Sequence, residues 1–157
     1  MTSHRFQGQV IEIYIATQRG QEMRPKEKVA AIKYSGLEGD RYFKKRKNTV
    51  SKRSDLRQVT LIESESLAGV KRDYQISLTG KASRRNIVTE NVPLNHLVDV
   101  TFRVGGALLR GSELCDPCSY LEQRTRDGVL KALTNRGGLC CEVIESGEIT
   151  VGDPITL

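Results

Sequence analysis

The chain has 157 residues, with 25 Lys and Arg against 19 Asp and Glu and a formal net charge of +6. That length suits one domain with its own core, and the cation surplus favours an anionic partner: nucleic acid, a phosphorylated cofactor or an acidic substrate. No apolar run approaches the roughly 18 residues that a membrane-crossing helix needs. Residues 1–6 lack the apolar core of a secretory signal, so a soluble cytoplasmic protein without membrane contact is expected, its four cysteines fitting a reducing compartment better than a disulfide framework.

Residues 9–16 predict a first strand, because Val10, Ile11, Ile13 and Ile15 are β-branched with polar residues partly interleaved. Arg19-Gly20-Gln21 makes a turn, and residues 28–34 form a second strand candidate. Gly36-Leu37-Glu38-Gly39-Asp40-Arg41-Tyr42 follows as a loop in which two glycines permit tight backbone geometry. From 44 to 57 the chain is basic, with Lys44, Lys45, Arg46, Lys47, Lys52, Arg53 and Arg57 against a lone Asp55. Such a block is a solvated connector or an anion-attracting rim.

Residues 58–63 predict a strand, and residues 64–70 a short helix capped by Ser64, with Leu67 and Val70 at helical spacing. Residues 83–90 read as a strand entered through Arg84-Arg85-Asn86. Residues 100–104 and 107–114 pair as a hairpin on Gly105-Gly106. Helix is expected from 119 to 134, interrupted at Asp127-Gly128 and closed by Arg136-Gly137-Gly138. Strands at 139–144, 148–151 and 155–157 end the chain. The tally is mainly β, with a few short helices, which suits a barrel or a sandwich in a single domain over 1–157.

Reactive side chains gather in Cys115-Asp116-Pro117-Cys118. A thiol between a strand and a helix lies near exposed helix N–H groups, which stabilise thiolate. A zinc site would need two further ligands. Cys140 and Cys141 are adjacent in a strand and point to opposite faces, and only His4 and His96 remain, so the count does not support zinc. The spacing suits a dithiol, yet no βαβ pattern surrounds it; two semi-buried structural thiols are the plainer alternative.

Arg84, Arg85 and Asn86 offer planar forks and amides that suit a phosphate or a heterocycle, and Arg41 joins them on its glycine loop. The plainer alternative is surface ion pairing with Glu38, Asp40 or Glu90. No Walker loop, G-x-G-x-x-G, G-x-S-x-G or H-E-x-x-H occurs. Three Phe and five Tyr, few of them interleaved with the basic loop, speak against nucleic acid.

Six stretches in order resemble the MOSC domain, named for the C-terminal part of molybdenum cofactor sulfurases. They are Gly36-Leu37-Glu38-Gly39-Asp40-Arg41-Tyr42, Gln58-Val59-Thr60-Leu61-Ile62-Glu63, Arg84-Arg85-Asn86-Ile87-Val88-Thr89, Val92-Pro93-Leu94-Asn95, Cys115-Asp116-Pro117-Cys118 and Gly152-Asp153. The resemblance spans nearly the whole chain and implies a β-barrel-like fold. It also implies binding of a molybdenum cofactor (molybdopterin), or carriage of sulfur as a cysteine persulfide for metal–sulfur centres. By motif position Cys118 would be the catalytic cysteine and metal ligand, while Arg84 and Asn86, with Arg41, would hold the cofactor; Arg85 between them is a cofactor-binding candidate by its side-chain chemistry. In related amidoxime-reducing proteins such a site reduces N-oxygenated substrates, which would call for an electron-transfer partner; sulfur carriage would call for a donating or accepting protein. Ala16-Thr17 stands where those relatives carry a Lys-Ser pair. A different reading is a non-catalytic module that holds an anionic ligand or nucleic acid through its basic loop.

Overall fold

Gly105 and Gly106 fold β-branched and apolar residues back on themselves, and that hairpin seeds one wall of a barrel. The computed structural model describes residues 5–45 and 56–157. Arg46, Lys47, Lys52, Arg53 and Asp55 of the basic loop, and His4 with the rest of residues 1–4, lie outside the described residues.

Seven strands close the barrel: β1 (Gln7–Ile15), β5 (Val59–Glu63), β6 (Ile87–Glu90), β7 (Thr101–Val104), β8 (Ala107–Leu114), β9 (Leu139–Glu145) and β11 (Pro154–Thr156). Neighbours run β11, β7, β8, β9, β5, β6, β1, and β1 pairs back with β11 through Gln7 opposite Thr156 and Gly8 opposite Ile155. Closure leaves these strands without a free edge. Only β5 and β6 are parallel, which requires a crossover; helices α1 (Ser64–Tyr74) and α2 (Gly80–Ser83) supply it. The short β2 (Arg24–Pro25) extends from β1, and β3 (Lys28–Ile32), β4 (Gly36–Leu37) and β10 (Gly147–Thr150) form a separate small sheet.

Alternation decides which core each residue joins. Val59 and Leu61 of β5 and Ile87 of β6 point into the barrel with Phe102, Leu109 and Cys141. Their neighbours Ile62 and Val88 point outward and build a second core with Val70, Leu121, Val129 and Leu133. That outer core fixes helices α3 (Ser119–Arg124) and α4 (Val129–Ala132) to the barrel wall. Both faces of β5 are therefore covered, and Val59, Thr60, Leu61 and Ile62 are all buried.

The mainly β barrel with short helices matches the sequence reading, and the helical break at Asp127-Gly128 falls where expected, with Gly128 at a positive φ of 99°. Three boundaries differ. Helix α1 runs to Tyr74 and Ser64 does not cap it; Glu63 holds the cap position without a side-chain bond. Helix α4 stops at Ala132, before Arg136-Gly137-Gly138. The third difference, at residues 83–86, shapes the site.

A register row crosses the wall: Ile13 pairs with Ile87, Ile87 with Leu61, Leu61 with Leu139 and Leu139 with Leu114. Chain segments flanking this row supply most of the cleft.

Candidate functional site

Residues 83–86 read as strand from their sequence, yet strand β6 begins only at Ile87. Thr79 caps a helical turn by accepting from Ala82 N at 3.0 Å, and Ser83 Oγ donates to Gly80 O at 2.5 Å. Arg84 then turns left-handed, with φ 62° and ψ 18°. That conformation is uncommon for a residue with a Cβ. Its effect is directional: consecutive strand residues face opposite ways, whereas here Arg84 and Arg85 line the same cleft.

The cleft has a volume of about 410 Å³, and its wall includes Arg41, Tyr42, Arg57, Arg84, Arg85 and Cys118. Arg19 and Tyr120 complete its rim. Five guanidinium groups thus surround one thiol. Among the described residues, Asp40 is the one carboxylate that pairs with any of them.

Asp40 organises the loop predicted around Arg41. Its carboxylate accepts from Ala16 N at 3.1 Å, Tyr42 N at 3.2 Å and Arg41 Nη1 at 3.1 Å. Ala16 thus takes part through its backbone N–H. Arg41 Nη2 donates to Arg84 O at 3.0 Å, and the Arg41 guanidinium lies 4.4 Å from the Tyr42 ring centre. Charge, carbonyl and π-face together fix this fork.

Arg84 Nη1 donates to Gln21 O at 2.8 Å, and Arg85 Nε to Gly137 O at 2.8 Å. Arg85 Nη2 is buried with no partner among the described residues. Burial, and then the charge of Arg57, lower the Arg85 pKa to about 10; Tyr42 and Cys118 push it partly back. Tyr42 answers the same field: burial alone would raise its phenol, but Arg41, Arg57 and Arg85 bring it below the ordinary value.

Asn86 stands apart from the cleft wall. It is fully buried, its Oδ1 accepting from Thr60 N at 3.0 Å and Thr60 Oγ1 at 3.1 Å, while Nδ2 donates to Tyr14 O at 3.1 Å. Both ends of the amide are engaged, so Asn86 ties β6 to β5 and β1 behind the arginines. Its place is behind the site, with no atom offered to a ligand.

The two cysteines of C-x-x-C separate. Cys115 forms a disulfide with Cys140, with a Cα–Cα distance of 5.5 Å. This corrects the expectation of thiols without a disulfide, and it assigns Cys115 a partner other than Cys118. Strand register brings them within reach: in the antiparallel pair Glu113 faces Cys140 and Leu114 faces Leu139, and Cys115 N donates to Gly138 O at 2.8 Å, so Cys115 and Cys140 are diagonal neighbours. A side chain at Gly137 would collide with Cys115 O and Pro117, so glycine there lets the loop approach. Cys141 faces the barrel core, as strand alternation requires. Cys118 is free and exposed. Helix α3, which it precedes, has six residues, and the thiol makes no capping bond; the arginine cleft, more than the helix end, is its surroundings. Asp116 is exposed and outside the cleft lining.

Arg19, Tyr42, Arg57 and Tyr120 were not singled out as site residues by sequence. Tyr42 and Arg57 carried a signal, the first as the neighbour of Arg41 and the second as the end of the basic block. Arg19 and Tyr120 carried none.

A model of the MOSC domain matches residues 48–156. The chain belongs to the MOSC domain family. Solved structures agree on the fold of this MOSC protein. YuaD from Bacillus subtilis superposes with a TM-score of 0.79 at 19% identity, over 98% of this chain and 96% of that one. YiiM from Geobacillus stearothermophilus gives 0.73 at 19% identity, over 96% and 74%. YiiM from Escherichia coli gives 0.64 at 18% identity, over 98% and 69%. Among curated proteins no sequence match is found. No helix among the described residues of the MOSC protein is long and apolar enough to cross a membrane.

Proposed function

We propose that this MOSC protein binds a molybdenum cofactor in the arginine cleft, with Cys118 as the thiolate ligand. The observation that carries the reading is Arg85: a buried guanidinium with an unpartnered Nη2, on the wall of a cleft that also holds a free thiol. A buried cation without a counter-charge is expensive, and an anionic group in the cleft offsets that cost. The donor set fits an anionic pterin phosphate beside a soft metal site, since thiolate suits molybdenum and arginine suits phosphate.

When bound, the cofactor would supply two-electron redox chemistry, as needed to reduce an N-oxygenated substrate. The chain's own residues bind and orient. Arg84 and Arg85 each commit one nitrogen to a backbone carbonyl, which fixes the fork and leaves other N–H groups for an oxyanion. Arg41 is held from one side by Asp40 and by the Arg84 carbonyl. Asn86 keeps the strand start beneath both arginines rigid.

A second reading, sulfur carriage, is favoured by the pairing of Cys115 with Cys140. A persulfide on Cys118 would then have no free thiol three positions away, at Cys115, to attack it. In that reaction the Cys118 thiolate attacks the outer sulfur of a donor persulfide. The donor S–S bond breaks, the donor leaves as a thiolate, and Cys118 carries S–SH. Five guanidiniums exceed what thiol chemistry alone requires, so cofactor binding is the primary proposal.

The test is elemental analysis of protein made in a host that synthesises the cofactor. Stoichiometric molybdenum is expected, and its loss in Cys118→Ser and Arg85→Gln. Absence of molybdenum, together with unchanged persulfide loading in Cys118→Ser, would overturn both readings.

A further inference from the structure

Arg84 borders two cavities. Besides the large cleft it lines a smaller one of about 200 Å³, together with Glu22, Met23, Lys81 and Arg124. Burial lowers the Arg84 pKa first, and the neighbouring guanidiniums of Arg41 and Arg124 lower it further. Arg41 belongs to the large cleft and Arg124 to the small one. Arg84 is therefore the electrostatic link between two cationic pockets.

The small cavity carries a positive balance of its own. Among the described residues Arg124 has no carboxylate partner; its Nη1 lies 3.4 Å from the Tyr120 hydroxyl, and its guanidinium 5.6 Å from the Tyr120 ring centre. Lys81 pairs with Glu22 at 2.6 Å, and both side chains are substantially exposed. Exposed pairs of this kind are worth little and are readily exchanged for a stronger anion. Met23 is buried and gives the cavity an apolar floor. The space accommodates a phosphate- or carboxylate-sized group and has about half the volume of the larger cleft.

The geometry points to a second anion subsite formed by Arg124, Lys81 and Arg84, so that the ligand of this protein carries two linked anionic groups, one in each cavity. The inference rests on the reading of the large cleft as an anion site. It adds that the ligand continues past Arg84, and that helix α3, which begins after Cys118, contributes Arg124 to holding it. A ligand with one anionic group would leave the Arg84–Arg124 repulsion only partly relieved.

Inorganic phosphate and tripolyphosphate, titrated calorimetrically into the metal-free full-length protein, test the inference. Tripolyphosphate is expected to bind about tenfold more tightly than phosphate. Arg124→Gln and Lys81→Gln are each expected to weaken tripolyphosphate about three- to tenfold, with phosphate affinity changed by less than about twofold. Arg41→Gln is expected to weaken both anions. If Arg124→Gln and Lys81→Gln leave tripolyphosphate unchanged while Arg41→Gln weakens it, the second subsite does not exist and the large cleft stands. If both variants weaken phosphate as much as tripolyphosphate, the cavities form one undivided site and the inference is overturned. If Arg41→Gln changes neither anion, the anion reading of the large cleft itself fails.

Discussion

Arg85 donates from Nε to the carbonyl of Gly137 at 2.8 Å, and this bond joins a buried cation of the cleft to the turn beneath the cysteine loop. Gly137 has room for no side chain because Cys115 O and Pro117 press against it. The chain thus stacks three layers in contact: Arg85, the 137–138 turn, and the segment that ends at Cys118. A cation placed this way is oriented by backbone, without a carboxylate to neutralise it.

That arrangement predicts a trade between stability and binding. Burial lowers the Arg85 pKa to about 10 from the ordinary arginine value, which corresponds to a cost of about 3 kcal/mol. The sign follows from the proton: the folded state holds it less tightly than the unfolded chain, so the cost is fully present below pH 10 and fades as pH rises from there toward the ordinary arginine value. At neutral pH, Arg85→Gln is expected to stabilise the ligand-free protein by about 1 kcal/mol, since a lost bond to Gly137 takes back part of the gain. Phosphate is expected to raise the melting temperature of the wild type more than that of the variant. Urea unfolding in phosphate-free buffer checks the first effect. A variant less stable than the wild type would mean that the guanidinium is already compensated.

Thiol reactivity is expected to be confined to one residue. Cys118 is exposed, whereas Cys141 is wholly buried and its thiol is pushed far up by burial and then by Glu142. The thiolate is the reactive form. Native protein treated with iodoacetamide should carry a single label at Cys118, and Cys118→Ser none. Labelling at Cys141 without denaturant would show that the barrel opens on the time scale of the reaction.

The Cys115–Cys140 disulfide closes a segment with a sequence separation of 25. Constraining a loop of that length in the unfolded chain contributes about 3 kcal/mol. A Cys115→Ala, Cys140→Ala double variant should lose roughly this amount under oxidising conditions. Reductant should lower the wild type to the variant's level and leave the variant unchanged. Equal stability of wild type and variant without reductant would show that the bond contributes nothing to the fold.

The fold was more legible in the sequence than the site, for physical reasons visible at particular residues. A short run of β-branched and apolar residues in Val59–Glu63 and Gly-Gly between Val104 and Ala107 act over a few residues, so strand and hairpin are legible locally. The turn at Arg84 could not. Two arginines and an asparagine before Ile87 look like the start of the strand, and only Thr79 and Ser83, capping from upstream, reveal a helical turn. The disulfide was hidden for a similar reason: Cys115 and Cys140 meet through the register of β8 and β9, which no local pattern encodes. Cys118, Arg41 and Arg84 follow from motif positions and Arg85 from its side-chain chemistry, and all four line one cleft. Asn86 was named with them and lies behind it.

Tyr42 gives a spectroscopic reading of the cleft. Burial alone would raise its phenol above 10, and the charges of Arg41, Arg57 and Arg85 outweigh that effect, so it ionises below 10. Tyr14 moves the other way, raised by burial and then by Glu12. For Tyr42 the folded pKa lies under the unfolded one, so its contribution to stability is absent at neutral pH. It grows as pH climbs past the folded value and is complete above 10. An alkaline titration followed by phenolate absorbance should show an early-ionising tyrosine that disappears in Tyr42→Phe. An anion in the cleft would screen the three arginines, so saturating phosphate is expected to shift this transition upward. If Tyr42 ionises early and phosphate leaves it unmoved, bound phosphate lies away from Arg41, Arg57 and Arg85.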